Sequence, residues 1–248
     1  MSRNQKKLQI VEAQTKQKRN SKQTPRIDDL VVVDPLTTNQ KLFFTSYKNS
    51  IATLLHGSAG TGKTFIALYK ALEEVLEKTS PYEKLVVCRS AVASRDIGHL
   101  PGTELEKTEV YMRPYVDICE SLFPDNPTPF QLLQESSTVD WMITSFIRGI
   151  TLDNAIIVVD ECQNMNDMEM NSIMTRVGQN SKVIFCGDFR QSDLYKNRSD
   201  LSGLQKFMVI AESMPSFNII EFGTDAIVRS ELVKEYIIAR QEYEEKYT

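Results

Sequence analysis

Hydrophobic positions along the chain fall into two repeating forms. Five short apolar runs, "IATLLHG", "EKLVVCRS", "AIIVVDE", "KVIFCGD" and "FNIIEF", are bounded by polar or glycine residues, and a sixth stretch, "TVDWMITS", alternates. Continuous apolar runs of this length suit strands buried on both sheet faces, whereas alternation marks a strand with one wetter face. Between them lie stretches with helical spacing. In "KTFIALYKALEEVLEK", Phe65, Ile66, Leu68, Ala71, Leu72, Val75 and Leu76 recur at that spacing. Further helices are expected over "LTTNQKLFFTSY", capped by Thr37 or Thr38, and over "ELEKTEVYMRPYVDICESLF", "FQLLQES", "DMEMNSIMTRVG" and "SGLQKFMVIAES". The last helix is expected from about Asp225 to Tyr247. Pro114 should kink or break its helix near Arg113, and "AVASRDIGHLPGTE" and "PDNPTPF" read as loops. Strands alternating with helices predict an α/β fold with a mainly parallel sheet covered on both faces.

The 248 residues and 41% hydrophobic content allow one large domain or two small ones. No apolar run is long enough to span a bilayer and no secretory signal is read, so a soluble, cytoplasmic protein with no membrane partner is expected. Cys88, Cys119, Cys162 and Cys186 are scattered without metal-binding spacing, which suits buried thiols in a reducing compartment. The net charge of −4 conceals an asymmetry. Residues 1–26 carry eight Lys or Arg against Glu12 alone, making this segment +7 and the remainder −11. It reads as a flexible basic arm ahead of a single domain over residues 27–248. Such an arm grips phosphate backbones through counterion release, or serves only as a solvated tail.

The chemistry concentrates in "GSAGTGKT", Gly57 to Thr64. Gly57, Ser58, Ala59, Gly60, Thr61 and Gly62 form a loop whose backbone N–H groups can cradle phosphates. Lys63 would reach the β- and γ-phosphates, and the Thr64 hydroxyl would hold Mg²⁺. A Gly/Ser turn that happens to precede Lys-Thr also satisfies the pattern, but here a strand-like run precedes the loop and a helix follows, putting the phosphate site at a helix N-terminus. His56, just before the loop, reads as a packed residue rather than a catalyst.

A second acidic element completes the expectation. "AIIVVDECQ" ends a buried strand with Asp160-Glu161. Asp160 would hold Mg²⁺ and Glu161 would polarise the attacking water, although such a pair also occurs as a solvated strand end or helix cap. Gln191, just past "KVIFCGD", stands where the γ-phosphate could be sensed, and Arg229 is expected in the first turns of the last helix. Arginine stabilises charge on a transferring phosphoryl group.

The ordered set "GSAGTGKT", "CRSAVASRDIGHLPGTELEK", "FIRGITLDNAIIVVDECQN", "GDFRQSDL", "SGL" and "FGTDAIVRSELV" resembles the PhoH-like proteins over about residues 35 to 235. The family usually has Arg-Pro-Ala-Val where this chain has Arg89-Ser90-Ala91-Val92, and Asp-Glu-Ala-Gln where it has Asp160-Glu161-Cys162-Gln163. Its Pro-Thr-Gln becomes Phe189-Arg190-Gln191, and its Gly-rich acidic stretch becomes "ASRDIGHLPG". The resemblance implies a P-loop NTPase with a RecA-like core related to superfamily-one helicases. It implies ATP and Mg²⁺ as cofactors, a homo-oligomeric ring for which the family suggests a hexamer, and RNA or single-stranded DNA as partner. By the same route Gln40 looks like an adenine reader, Gln163 and Gln191 like couplers, and Arg89 and Arg148 like contacts for a strand backbone. For either arginine an intramolecular salt bridge is the alternative. One core fills nearly the whole chain, so completion of the ATP site across a subunit interface is expected, with Arg229 or another basic residue donated in trans.

Overall fold

Each apolar run becomes a strand. In the computed structural model, which describes residues 23–90, 104–147, 149–188 and 203–247, the strands are β1 (Ala52–Gly57), β2 (Lys84–Arg89), β3 (Val139–Ile143), β4 (Ala155–Asp160), β5 (Lys182–Gly187) and β6 (Phe217–Phe222). They form one sheet in the order β3-β2-β4-β5-β1-β6, with every pairing parallel. All residues of β4 and β5 are buried, as their unbroken apolar runs require of central strands. Alternate residues divide between two cores. Leu55, Leu85, Val87, Ile156, Val158 and Ile184 belong to one, and Leu54, Val86, Ile157, Val159, Val183 and Phe185 to the other.

The helices are α1 (Thr38–Ser46), α2 (Lys63–Leu76), α3 (Glu104–Leu122), α4 (Pro129–Glu135), α5 (Asp167–Met174), α6 (Gly203–Glu212) and α7 (Glu231–Tyr247). Thr37 caps α1, its hydroxyl accepting from Gln40 N. Ile66 and Leu72 of α2 join Tyr115 and Leu122 of α3 in the first core; Met170 and Ile173 of α5 join Leu204 and Phe207 of α6 in the second.

Two elements depart from the sequence expectation. The α3 helix continues through Pro114 instead of breaking at Arg113. A proline inside a helix costs about 3 kcal/mol. Burying Tyr115, Val116 and Leu122 in the core offsets that cost, at roughly 1.5–3 kcal/mol for a large apolar side chain. The last helix starts at Glu231, not near Asp225, after a short 3₁₀ turn at Thr224–Ala226. Val228 N donates to Gly60 O at 2.9 Å, so this backbone group serves the phosphate loop rather than a helical turn.

Candidate functional site

The loop after β1 is shaped by its own polar groups. Gly57 ends the strand at φ 117°, and Ser58 N donates to Phe222 O of β6 at 2.8 Å, drawing the chain sharply off the sheet. Thr61 Oγ1 donates to Ser58 O at 3.0 Å. Lys63 is 9% exposed, and its ammonium donates to Gly57 O at 2.9 Å, Ser58 O at 2.7 Å and Thr61 Oγ1 at 3.2 Å. Burial holds it below the usual lysine range, opposed by the charge of Asp188. The donor is therefore positioned by carbonyls it can exchange for phosphate oxygens. A cavity of about 550 Å³ opens over the loop, lined also by Asp160, Glu161, Gln163 and Arg229. That is ample for a nucleotide-sized ligand.

The acidic strand end meets this loop directly. Thr64 Oγ1 donates to Asp160 Oδ1 at 2.6 Å, and the Tyr115 hydroxyl donates to Oδ2 at 2.9 Å. Burial and then the neighbouring Glu161 hold the Asp160 carboxyl above the ordinary carboxylate range, against the hydrogen bonds of Thr64 and Tyr115 and the charge of Arg89. Glu161 turns the chain out of β4 at φ 51°, a left-handed conformation that costs a side-chain-bearing residue roughly 1–3 kcal/mol. Its Oε2 accepts from Gln163 Nε2, and Gln163 Oε1 accepts from Asp188 N at 3.0 Å. Thus Gln163 bridges the acid pair to the end of β5.

These donors fit magnesium. A hydroxyl and a carboxylate side by side are hard oxygen ligands, and Mg²⁺ usually takes only one or two protein ligands, completed by substrate phosphates and water. The buried carboxylate also carries a desolvation penalty that a cation would relieve.

The other expected site residues are placed variously. Gln40, 3% exposed, donates from Nε2 to Thr61 O at 3.0 Å and accepts from Leu36 N at 2.8 Å, so its amide braces the loop while lining the cavity. Arg229 precedes α7 and lies on the loop of its own chain: a Cβ placed on Gly60 would stand 2.8 Å from Arg229 Cγ. Arg89 ends β2 half-buried, its guanidinium over the Tyr111 ring at 5.6 Å. Its desolvation is outweighed by Tyr115, Glu161 and Asp160, which together hold it above its ordinary value. His56 is half-buried in β1, where burial lowers its pKa. Gln191 and Arg148 lie outside the described residues. Tyr115 escapes a sequence reading because its only signal is an apolar position on a helix.

A family profile described as PhoH-like protein matches residues 32–241. The PhoH-like protein of Mycobacterium leprae is 35% identical over 214 residues, covering 86% of this chain and 60% of the relative. That of Bacillus subtilis is 32% identical over 204 residues, covering 82% and 62%. Protein PhoH of Escherichia coli K12 is 34% identical over 177 residues, covering 71% and 49%. The chain thus spans about half to three-fifths of these relatives' length. Among solved structures, the large terminase of a thermophilic bacteriophage aligns at 12% identity with a TM-score of 0.48, covering 82% of this chain and 50% of that one, too distant to bear on function. The phosphate loop on β1 and the acid pair on β4, with β5 between them, form a RecA-like P-loop core. With the profile spanning most of its length, the chain belongs to the PhoH-like protein family.

Proposed function

We propose that this protein binds and hydrolyses ATP and couples that hydrolysis to RNA or single-stranded DNA, as a homo-oligomeric ring in the cytoplasm. The observation that carries the ATPase reading is the Thr64 hydroxyl 2.6 Å from Asp160 Oδ1, which joins the phosphate loop to an acid distant in sequence. In this reading Lys63 leaves its loop carbonyls for the β- and γ-phosphates, with the loop's N–H groups cradling the same oxygens. Thr64 and Asp160 would hold Mg²⁺, which supplies Lewis-acid stabilisation of the phosphate charge. Glu161 accepts the proton of the attacking water, and Gln163, bonded to it, keeps its carboxylate aimed. Arg229 or another basic residue, donated across the subunit boundary of the ring, stabilises charge on the transferring phosphoryl group. Gln191 serves as γ-phosphate sensor, and the basic arm of residues 1–26 supplies salt-sensitive strand affinity.

A second reading, a nucleotide-gated binding or assembly switch without unwinding, is favoured by Arg89, whose guanidinium lies over the Tyr111 ring at 5.6 Å. Steady-state ATPase rates separate the two, measured with and without single-stranded RNA and DNA at two salt concentrations. Lys63→Ala and Glu161→Gln serve as controls. Strand stimulation of kcat that both substitutions abolish supports the motor reading. A basal rate indifferent to either strand supports the switch, and no nucleotide-dependent turnover at all refutes the ATPase assignment.

A further inference from the structure

Asp160 is held on both carboxylate oxygens by groups of its own chain, Thr64 on Oδ1 and Tyr115 on Oδ2. Tyr115 has no exposed surface and sits in the core beneath the sheet, so its hydroxyl must find partners inside the protein. Its partner is Asp160, to whose Oδ2 it donates at 2.9 Å. Arg89 stands opposite Asp160 in the β2–β4 register, which brings the cation to the same end of the sheet as the carboxylate. One helix touches both groups. Tyr111 lies under the guanidinium and Tyr115, one turn later, meets the carboxylate.

The chemistry of this arrangement differs from a direct ion pair. A carboxyl group rotates freely about its last torsion unless something holds it. The Tyr115 hydroxyl anchors Oδ2 and leaves Oδ1 on the Thr64 side, where a cation would sit. Because the phenol is neutral, it orients the carboxylate without competing for it. We propose that Tyr115 is the positioning residue for the metal-binding carboxylate, so that its hydroxyl sets how tightly the Thr64–Asp160 corner holds a divalent cation. The proposal rests on the nucleotide–metal reading of the site.

The test uses Mn²⁺ as the probe, its binding to the full chain with saturating ADP followed by electron paramagnetic resonance. Tyr115→Phe, which keeps the ring, is expected to weaken Mn²⁺ binding by about tenfold, in line with loss of a hydrogen bond to a metal ligand. ADP affinity measured in a chelator should not move, which separates positioning from a general loss of structure. Mn²⁺ affinity of Tyr115→Phe within about twofold of wild type would overturn the proposal. If Tyr115→Phe does not fold, Tyr115→Met, which also fills the core without a hydroxyl, decides in its place. Wild-type protein that binds no Mn²⁺ with ADP overturns the site reading and the proposal together, whereas wild-type binding that the Tyr115 variants leave intact overturns the proposal alone.

Discussion

Replacing Gly57 by alanine tests the geometry at the root of the phosphate loop. A Cβ on Gly57 would stand 2.2 Å from the backbone oxygen of Phe222, and the residue holds φ at 117°, which L side chains rarely adopt. The backbone conformation costs roughly 1–3 kcal/mol. The carbonyl must also retreat on the order of 1 Å, and overpacking of this kind adds about 1–3 kcal/mol. That same carbonyl accepts from Ser58 N at 2.8 Å, a bond worth about 1 kcal/mol that the retreat would weaken. A total loss of about 3–7 kcal/mol corresponds to a fall in Tm of roughly 6–28 °C for a chain of this size. Gly149 provides the control, with φ 84° but no described atom within 4 Å of an added Cβ. Gly149→Ala should therefore lose only the backbone term, a few degrees. Scanning calorimetry of both variants measures the difference, and nucleotide affinity should fall only for Gly57→Ala, because Gly57 O holds the Lys63 ammonium. Equal shifts in Tm for the two variants would refute the claim that contact with β6 fixes the loop.

Other outcomes follow from the buried groups. Asp160→Asn should raise the Tm of chelator-treated protein by about 2–4 °C while abolishing metal-dependent nucleotide binding, since burial and Glu161 both disfavour the charged carboxylate. A lower Tm would mean that the bonds from Thr64 and Tyr115 outweigh that cost. The folded chain holds His56 below its unfolded pKa, chiefly by burial, so stability is full above about pH 6.5 and falls as pH drops through the window beneath it. Thermal melts between about pH 7.5 and 5.5 should show this loss in wild type and a flatter profile in His56→Gln; parallel profiles refute the assignment. Burial pushes the Cys88 and Cys119 thiols up to about 12 and raises Cys162 and Cys186 as well, so Ellman's reagent should label these four only as fast as the protein unfolds. Rapid labelling of native protein at any of these positions would contradict their burial.

The local pattern of the chain determined its elements. Strands are legible where unbroken apolar runs leave no polar face, as in "AIIVVDE", and the phosphate loop is legible because its glycines, Lys63 and Thr64 are contiguous. Asp160 and Glu161 could be read too, as acids at the end of a buried strand. The elements that resisted are those in which a distant partner outweighs a local preference. Pro114 signals a break that core burial of its helix overrides, and Val228 gives its N–H to Gly60 instead of beginning a helix.

Only the tertiary structure decided which side chains meet. Sequence period says that β1, β4 and β5 exist, but the crossovers set the order that brings Thr64 against Asp160. It is also the fold that lays Arg229 on its own chain's loop, turns both ends of the Gln40 amide to backbone, and brings the Tyr115 hydroxyl to the acid. Burial periodicity reports which face of an element is dry, and a motif reports which groups are adjacent along the chain. A hydrogen bond between residues far apart in sequence depends instead on strand order and register, to which neither the period nor the motif is sensitive.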